Sequence, residues 1–192
     1  MNPITHFLAS WSLGDAGGTR QRDLSLVTWS GVMPDLDGLG AIVDDANRMF
    51  GRPDTWYFDA YHHVWLHGLP GAVAIPLVMS RFAAQKARTF VLGFAAVHLH
   101  LLCDLVGSRG PDAGDVWPIH YLAPFSMRGT VLWPGQWALN AWPNVLLTAL
   151  LLAYVFHRAV VAGYSPVGVF HAGADRTFVE TVRARWARLR ES

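Results

Sequence analysis

Residues 89–106, TFVLGFAAVHLHLLCDLV, are apolar except for His98, His100 and Asp104. The run reads as helix, at the short end of the roughly 20 residues that a bilayer core of about 30 Å requires. An ionised aspartate is costly in such a run unless something compensates it. His100 and Asp104 stand at i and i+4, so their side chains leave one helical face about a turn apart, and a single metal ion can reach both. Imidazole and carboxylate both suit first-row metal ions. A buried His–Asp hydrogen bond is the alternative. His98 lies about 200° round the helix from His100 and is read as structural.

Two further apolar stretches flank this one. Residues 64–80 (VWLHGLPGAVAIPLVMS) carry no acid or base apart from His67, and residues 138–156 (ALNAWPNVLLTALLLAYVF) contain the strongest apolar run of the chain. The 192 residues make one domain. Only 15% are charged, against about 25% in ordinary soluble domains, while 52% are hydrophobic and the mean hydropathy is +0.24. Too little charge is present to coat a soluble globule, and the high apolar content excludes disorder. A net charge of +1 leaves no footprint for nucleic acid. The one cysteine, Cys103, excludes a disulfide scaffold and a CxxC zinc site. The expected fold class is all-α, a helical bundle with about three membrane-embedded helices. A soluble helical protein whose apolar runs are only core is the competing reading.

Charge favours the membrane. Arg81, Lys86 and Arg88 lie between the first two stretches, and Arg158, Arg176, Arg183, Arg185, Arg188 and Arg190 follow the third. Three spans put link and tail on one side, cytoplasmic by the positive-inside rule. The loop from Gly107 to Trp137, with only Arg109 and Arg128, then faces the other side. Arg20, Arg22, Arg48 and Arg52 argue against export of the amino-terminal segment. Trp117, Trp133, Trp137 and Trp142 suit an aromatic belt. Met1 to Trp11 lacks the basic and apolar regions of a signal peptide.

Elsewhere, Ile4–Leu13 reads as a short helix stopped by the glycines of 14–18. Asp23 is expected to cap a second helix from Leu24 to Gly31, closed by Pro34. Residues 35–61 read as loop-rich and 107–114 as a plain loop; no strand is expected. A single domain over 1–174 is followed by a basic amphipathic helix, 175–192, with Phe178, Val179, Val182 and Trp186 on one side. That helix suits an anionic membrane surface or packing on its neighbours.

Three other places carry chemistry-bearing residues. In Tyr61-His62-His63-Val-Trp-Leu-His67, helical spacing pairs His63 with His67, and His62 can turn inward from a helix start, so the choice between His62 and His63 stays open. Met33-Pro34-Asp35-Leu36-Asp37-Gly38 is a turn that can aim two carboxylates at one point, though turn aspartates also bond their own backbone. His6 follows Thr5 near a helix start. No GxSxG, HExxH, phosphate-binding loop or dinucleotide fingerprint is present. Mixed His and Asp without cysteine suits an open catalytic metal site rather than a closed structural one.

Taken in order, these pieces resemble the bacterial membrane-bound metal-dependent hydrolases of the YdjM/YbcI type. The motifs are Thr5-His6, Gly31-Val-Met-Pro-Asp35-Leu-Asp37, His62-His63-Val-Trp-Leu-His67-Gly68, His100-Leu-Leu-Cys-Asp104 and Pro124-Phe125-Ser126, covering about residues 1–126. Where that family has Arg and Ser in the third motif, this chain has His63 and Gly68. The resemblance implies a hydrolase of the bacterial inner membrane with a divalent metal, zinc first among candidates. It implies His6, Asp35, His62, His67, His100 and Asp104 as ligands, ranking His62 and His67 ahead of His63. Asp37 is then a candidate base and His63 or His120 a proton donor. The order of histidines and aspartates is more distantly similar to zinc-dependent phospholipase C, which implies a phosphoester, and a site at the bilayer suggests a lipid or other small ester substrate. The alternative is a metal-binding membrane protein that does not catalyse.

Overall fold

The computed structural model describes residues 1–62 and 64–191, with Gln21 described by its backbone. Among these the chain is helical almost throughout, as expected. The helices are α1 (Pro3–Ala16), α2 (Gln21–Ser30), α3 (Gly40–Met49), α4 (Tyr57–Tyr61), α5 (Leu69–Arg81), α6 (Lys86–Gly107), α7 (Trp142–Ala162) and α8 (Ala172–Glu191). Short 3-10 turns cover Met33–Leu39 and Pro166–Val169. One departure is a pair of two-residue strands, β1 (Ile119–His120) and β2 (Thr130–Val131), antiparallel within the loop before α7. Two residues are too few to show a period in sequence.

Contacts at the helix ends fix how the bundle runs. The Gly31 carbonyl, just past α2, accepts from His100 Nδ1 at 2.8 Å, and Asp23, near the start of α2, accepts the Ala84 and Gln85 N–H groups just before α6. So α2 and α6 run the same way. Helices α1 and α7 run against them. The Met1 amino group meets Asp104 near the end of α6, while Arg88 reaches the Gly17 carbonyl past the end of α1. Asn144, in the first turn of α7, bonds the Gly107 carbonyl that closes α6. The result has a histidine end and an arginine end. Ala72, Ile75, Val97, Leu101 and Ile119 form one core between α5 and α6; Leu8, Trp11, Leu24 and Val155 form another between α1, α2 and α7.

Several local expectations are corrected. The first helix continues through Gly14 because glycine there admits α2: a Cβ would sit 2.7 Å from Leu24 Cδ1. It stops at Gly17–Gly18, where Gly18 takes φ +73°. Asp23 does not cap its own helix, which begins two residues earlier; its carboxylate holds the link between α5 and α6 instead. Residues 35–61 contain the 3-10 turn, α3 and α4. Asp44 organises them, accepting from the Tyr57 and Phe58 N–H groups and the Thr55 hydroxyl. Those bonds overcome burial and lower its pKa.

Three long spans are not what forms. Lys86–Gly107 and Trp142–Ala162 are long and apolar enough to cross a bilayer, but the helix expected from residue 64 begins at Leu69 and has 13 residues. Pro70 lacks an N–H and favours a first turn, and the Leu66 N–H is diverted to Asp37 Oδ2 at 3.1 Å. At 1.5 Å per residue, α5 spans about 20 Å. Only 11% of the most apolar window of α7 is buried within the protein, against 44% for α6. Leu146, Leu150 and Phe156 of α7 accordingly face outward, as a lipid-facing surface does.

The arginine end is tied by Asp15, whose carboxylate receives the hydroxyls of Tyr154 and Tyr164 and the Arg158 guanidinium. Burial opposes its ionisation, yet these donors outweigh burial and hold its carboxyl below the ordinary range.

Candidate metal centre

Four segments bring their side chains to the histidine end. His6 comes from the first turn of α1, with Asn2 capping that helix through the Thr5 N–H at 2.9 Å. Asp35 and Asp37 come from the 3-10 turn, where Pro34 at the start is buried. At three residues per turn, two positions apart is about 240°, so these carboxylates point different ways. His67 sits in the turn before α5. His100 and Asp104 share one face of α6, at i and i+4.

The side chains converge on His100 Nε2. Asp104 Oδ2 lies 3.0 Å from it, His67 Nε2 also 3.0 Å, and Asp35 Oδ1 3.6 Å. His67 Nε2 is in turn 3.6 Å from Asp104 Oδ2 and 4.0 Å from Asp35 Oδ1. His6 stacks on His100 with ring centroids 3.8 Å apart, and its Nε2 is 3.1 Å from Asp104 Oδ1. His6, His67 and His100 are fully buried.

The partners of the other ring nitrogens settle the tautomers. His100 Nδ1 faces the Gly31 carbonyl, which can only accept, so Nδ1 carries the proton. His67 Nδ1 faces Asp37 Oδ2 at 3.0 Å and likewise donates. In their neutral forms both rings therefore direct bare Nε2 lone pairs at each other across 3.0 Å, with two carboxylate oxygens beside them. Lone pairs so arranged repel unless a cation, a proton or a metal ion, stands among them. Burial disfavours the His67 imidazolium, but Asp104 and Asp37 outweigh it and push the His67 pKa up to about 9. His6 moves the other way, lowered by burial and by the charge of His100.

The donor set fits a divalent ion. His6, His100 and Asp104 each place one donor atom within 4.8 Å of the others; so do Asp35, His67 and His100, and so do Asp37, His62 and His67. Ligands at 2.0–2.2 Å around a tetrahedral ion lie about 3.3–3.6 Å apart, close to the spacings here. Asp35 Oδ2 and His6 Nδ1 are buried with no hydrogen-bond partner, a rare condition for polar atoms.

Of the residues singled out in the sequence, His6, Asp35, His67, His100 and Asp104 gather in this cluster. His62 stands behind it: its Nδ1 bonds Asp37 Oδ1 at 2.9 Å, and Asp37 lies between the two histidines. Bonds to His62, His67 and the Leu66 N–H overcome burial and hold the Asp37 carboxyl well below the ordinary range. His63 lies outside the described residues. Residues 64–68 form turns rather than helix. His120 is on β1, its Nδ1 at 3.0 Å from the Thr130 hydroxyl on β2, and belongs to none of the three groups. Gly68, where the resembled family has serine, is pressed against β1: a Cβ would lie 2.7 Å from the Tyr121 carbonyl oxygen, which accepts the Leu69 N–H.

Two residues were missed in these roles. Gly31 was noted only as part of a motif, yet its carbonyl orients His100. Ser108, one turn beyond Asp104, donates to Asp104 Oδ1 at 2.8 Å; its i+4 spacing was the available signal. A cavity of about 300 Å³ opens beside the cluster, lined by Asp35, Phe58, His62, Asp104, Asp115 and Trp117 among others.

Residues 1–169 match the family model described as YdjM inner membrane protein. The match extends past the last recognised motif at Ser126 and takes in α7. No curated protein and no solved structure matches the chain.

Proposed function

The chain belongs to the YdjM inner membrane protein family, and on that premise we propose that it is a metal-dependent hydrolase acting on a phosphoester or related ester at the membrane surface. The observation that carries the reading is the convergence of the His67 and His100 Nε2 lone pairs with the Asp35 and Asp104 carboxylates, beside a cavity. His67, His100, Asp35 and Asp104 are the proposed ligands, with His6 against Asp104. His62 is proposed for a second ion or as a partner of Asp37. The N/O donor set suits zinc. Such an ion, when bound, lowers the pKa of water to about 7 and polarises a phosphoryl or carbonyl oxygen.

The chain's own groups do the rest. Asp37 and the Gly31 carbonyl hold the two imidazoles in the tautomers that offer Nε2 to the centre. Ser108 fixes the Asp104 carboxylate. Asp37 was the candidate base, but its oxygens are engaged by His62, His67 and Leu66, so positioning is the role proposed for it. His62 lines the cavity with Asp37 behind it, better placed than His120 to pass a proton to a leaving group. A cavity of about 300 Å³ is at the small end of ligand sites and admits a headgroup-sized substrate rather than a whole lipid.

The charge distribution supports a sidedness. Arg20, Arg22, Arg81, Lys86, Arg88 and Arg158 lie at the arginine end, and α8, with five more arginines, follows from it. Only Arg48, Arg52, Arg109 and Arg128 belong to segments at the histidine end. By the positive-inside rule the centre opens away from the cytoplasm. A cysteine introduced at Asp112 is expected to react with a membrane-impermeant maleimide in intact spheroplasts, and one at Arg188 only after lysis; the native Cys103 is buried. The reverse pattern overturns the orientation.

Metal content per purified chain, followed by hydrolysis of phosphomonoester, phosphodiester and carboxylic ester panels, tests the function. A folded chain without metal sinks the reading, and a metal-loaded chain inert on every panel favours the non-catalytic alternative. Asp37→Asn is expected to weaken metal binding about 10–100-fold, as losing an outer partner of a ligating histidine typically does. Chelator competition measures it, and unchanged affinity removes Asp37 from the centre.

A further inference from the structure

A second feature, at the opposite end and independent of the hydrolase reading, is a groove between α7 and α8. Its volume is about 880 Å³, and Phe156 and Val160 of α7 and Phe178, Val182, Arg185 and Trp186 of α8 are among its lining residues. The two helices run alongside each other in the same direction. Phe178 packs on Phe156 with centroids 5.9 Å apart, and five residues on, Arg183 Nε donates to the Val160 carbonyl at 2.9 Å.

The groove is a built feature. Arg183 occupies a carbonyl left open at the carboxyl end of α7, where a cation is favoured. Gly163 turns the chain at φ +79°. Asp175 closes the return, accepting the Ser165 N–H at 3.0 Å and its hydroxyl at 2.6 Å. These ties set the angle between the helices.

We propose that this groove binds one anionic phospholipid of the leaflet at the arginine end, an acyl chain lying against Phe156 and Phe178 and the phosphate at Arg185. Three observations select this occupant. The α7 wall belongs to a helix that exposes Leu146, Leu150 and Phe156 and whose most apolar window is only 11% buried, against 44% for α6. The lining is mostly aromatic and aliphatic, from Phe156 to Leu189, with Arg185 set among these side chains beside Trp186, so an apolar wall and a cation that can meet a headgroup stand together. Finally, α8 carries Arg176, Arg183, Arg185, Arg188 and Arg190 against Asp175, Glu180 and Glu191, and Asp175 is already engaged by Ser165. The surplus is cationic and Arg185 is exposed.

The test is native mass spectrometry of the full chain, stripped of lipid in detergent and offered equal phosphatidylglycerol and phosphatidylcholine. Phosphatidylglycerol is expected to be retained about fivefold over phosphatidylcholine, the scale of one arginine at an anionic surface. That preference should vanish in Arg185→Gln and survive in Arg185→Lys and in Arg190→Gln, which lies outside the groove lining. Melting temperatures of the variants guard against misfolding. Equal retention of the two lipids, or an undiminished preference in a folded Arg185→Gln chain, overturns the proposal. So does displacement of the lipid by inorganic phosphate alone, which marks a simple anion site. A particle of twice the mass that binds no lipid assigns the groove to a second copy and overturns it too.

Discussion

Asp35→Ala, His100→Ala chains are expected to emerge from chelator-free purification without metal, whereas the unaltered chain carries about one or more ions. His100 Nε2 is the atom to which His67, Asp104 and Asp35 all approach, at 3.0, 3.0 and 3.6 Å. Its removal with Asp35 strips an imidazole and a carboxylate from the group that surrounds one point. Hydrolysis, once a substrate is found, is expected to fall by more than the roughly 10–100-fold that loss of an outer partner costs. Elemental analysis gives the first result and turnover the second. Full metal occupancy in the folded double variant would sink the assigned centre. A proton shared by His67 and His100 would then be the cation that the facing lone pairs need, consistent with the raised His67 pKa.

The largest loss of stability is expected at Asn144, far from any chemistry. Its side chain donates to the carbonyls of Gly107, Ala138 and Leu139, at 2.9 to 3.1 Å, and accepts from the Trp137 indole. It closes the end of α6 and the loop before α7 with one buried residue. Asn144→Ala leaves three carbonyls and an indole N–H without that partner. Since an unsatisfied buried group costs about 1–3 kcal/mol and some will find replacements, a loss of about 2–4 kcal/mol is expected. Denaturation of the detergent-solubilised chain measures it. A change within about 0.5 kcal/mol, ordinary for a surface substitution, would mean that the loop is held by something else.

The part of the centre visible in sequence lies within one helix. His100 and Asp104 are legible because 3.6-residue periodicity fixes their relation without any tertiary knowledge. Asp35 and Asp37 were flagged by turn chemistry, but a turn does not reveal that one carboxylate meets His100 while the other backs His67. His6 was carried by resemblance alone, since nothing local separates it from a core histidine. Helical spacing favoured His63 over His62 as the companion of His67, in a segment where Pro70 and the Asp37–Leu66 bond delay the helix. That same delay shortens α5 and removes the third long span. The partners of Asp15 could not be read at all: Tyr154 and Arg158 lie about 140 residues away and share no pattern with it.

The descent of α6 beside α1 and α2 has a consequence for how the chain is made. Asp104 is balanced by His6, Ser108, His100 and the Met1 amino group, and His100 by the carbonyl of Gly31. His100 and Ser108 travel with α6, whereas His6, the Met1 amino group and the Gly31 carbonyl do not. An aspartate carried into the bilayer by a helix is costly unless it is paired, so α6 without its partners is a reluctant passenger of the insertion machinery. The hairpin of α1 and α2 is synthesised well before α6 and holds the compensating groups. Biogenesis therefore favours a nascent hairpin that waits at the bilayer and receives α6 as a partner, making the order of synthesis part of how a charged helix comes to rest in lipid.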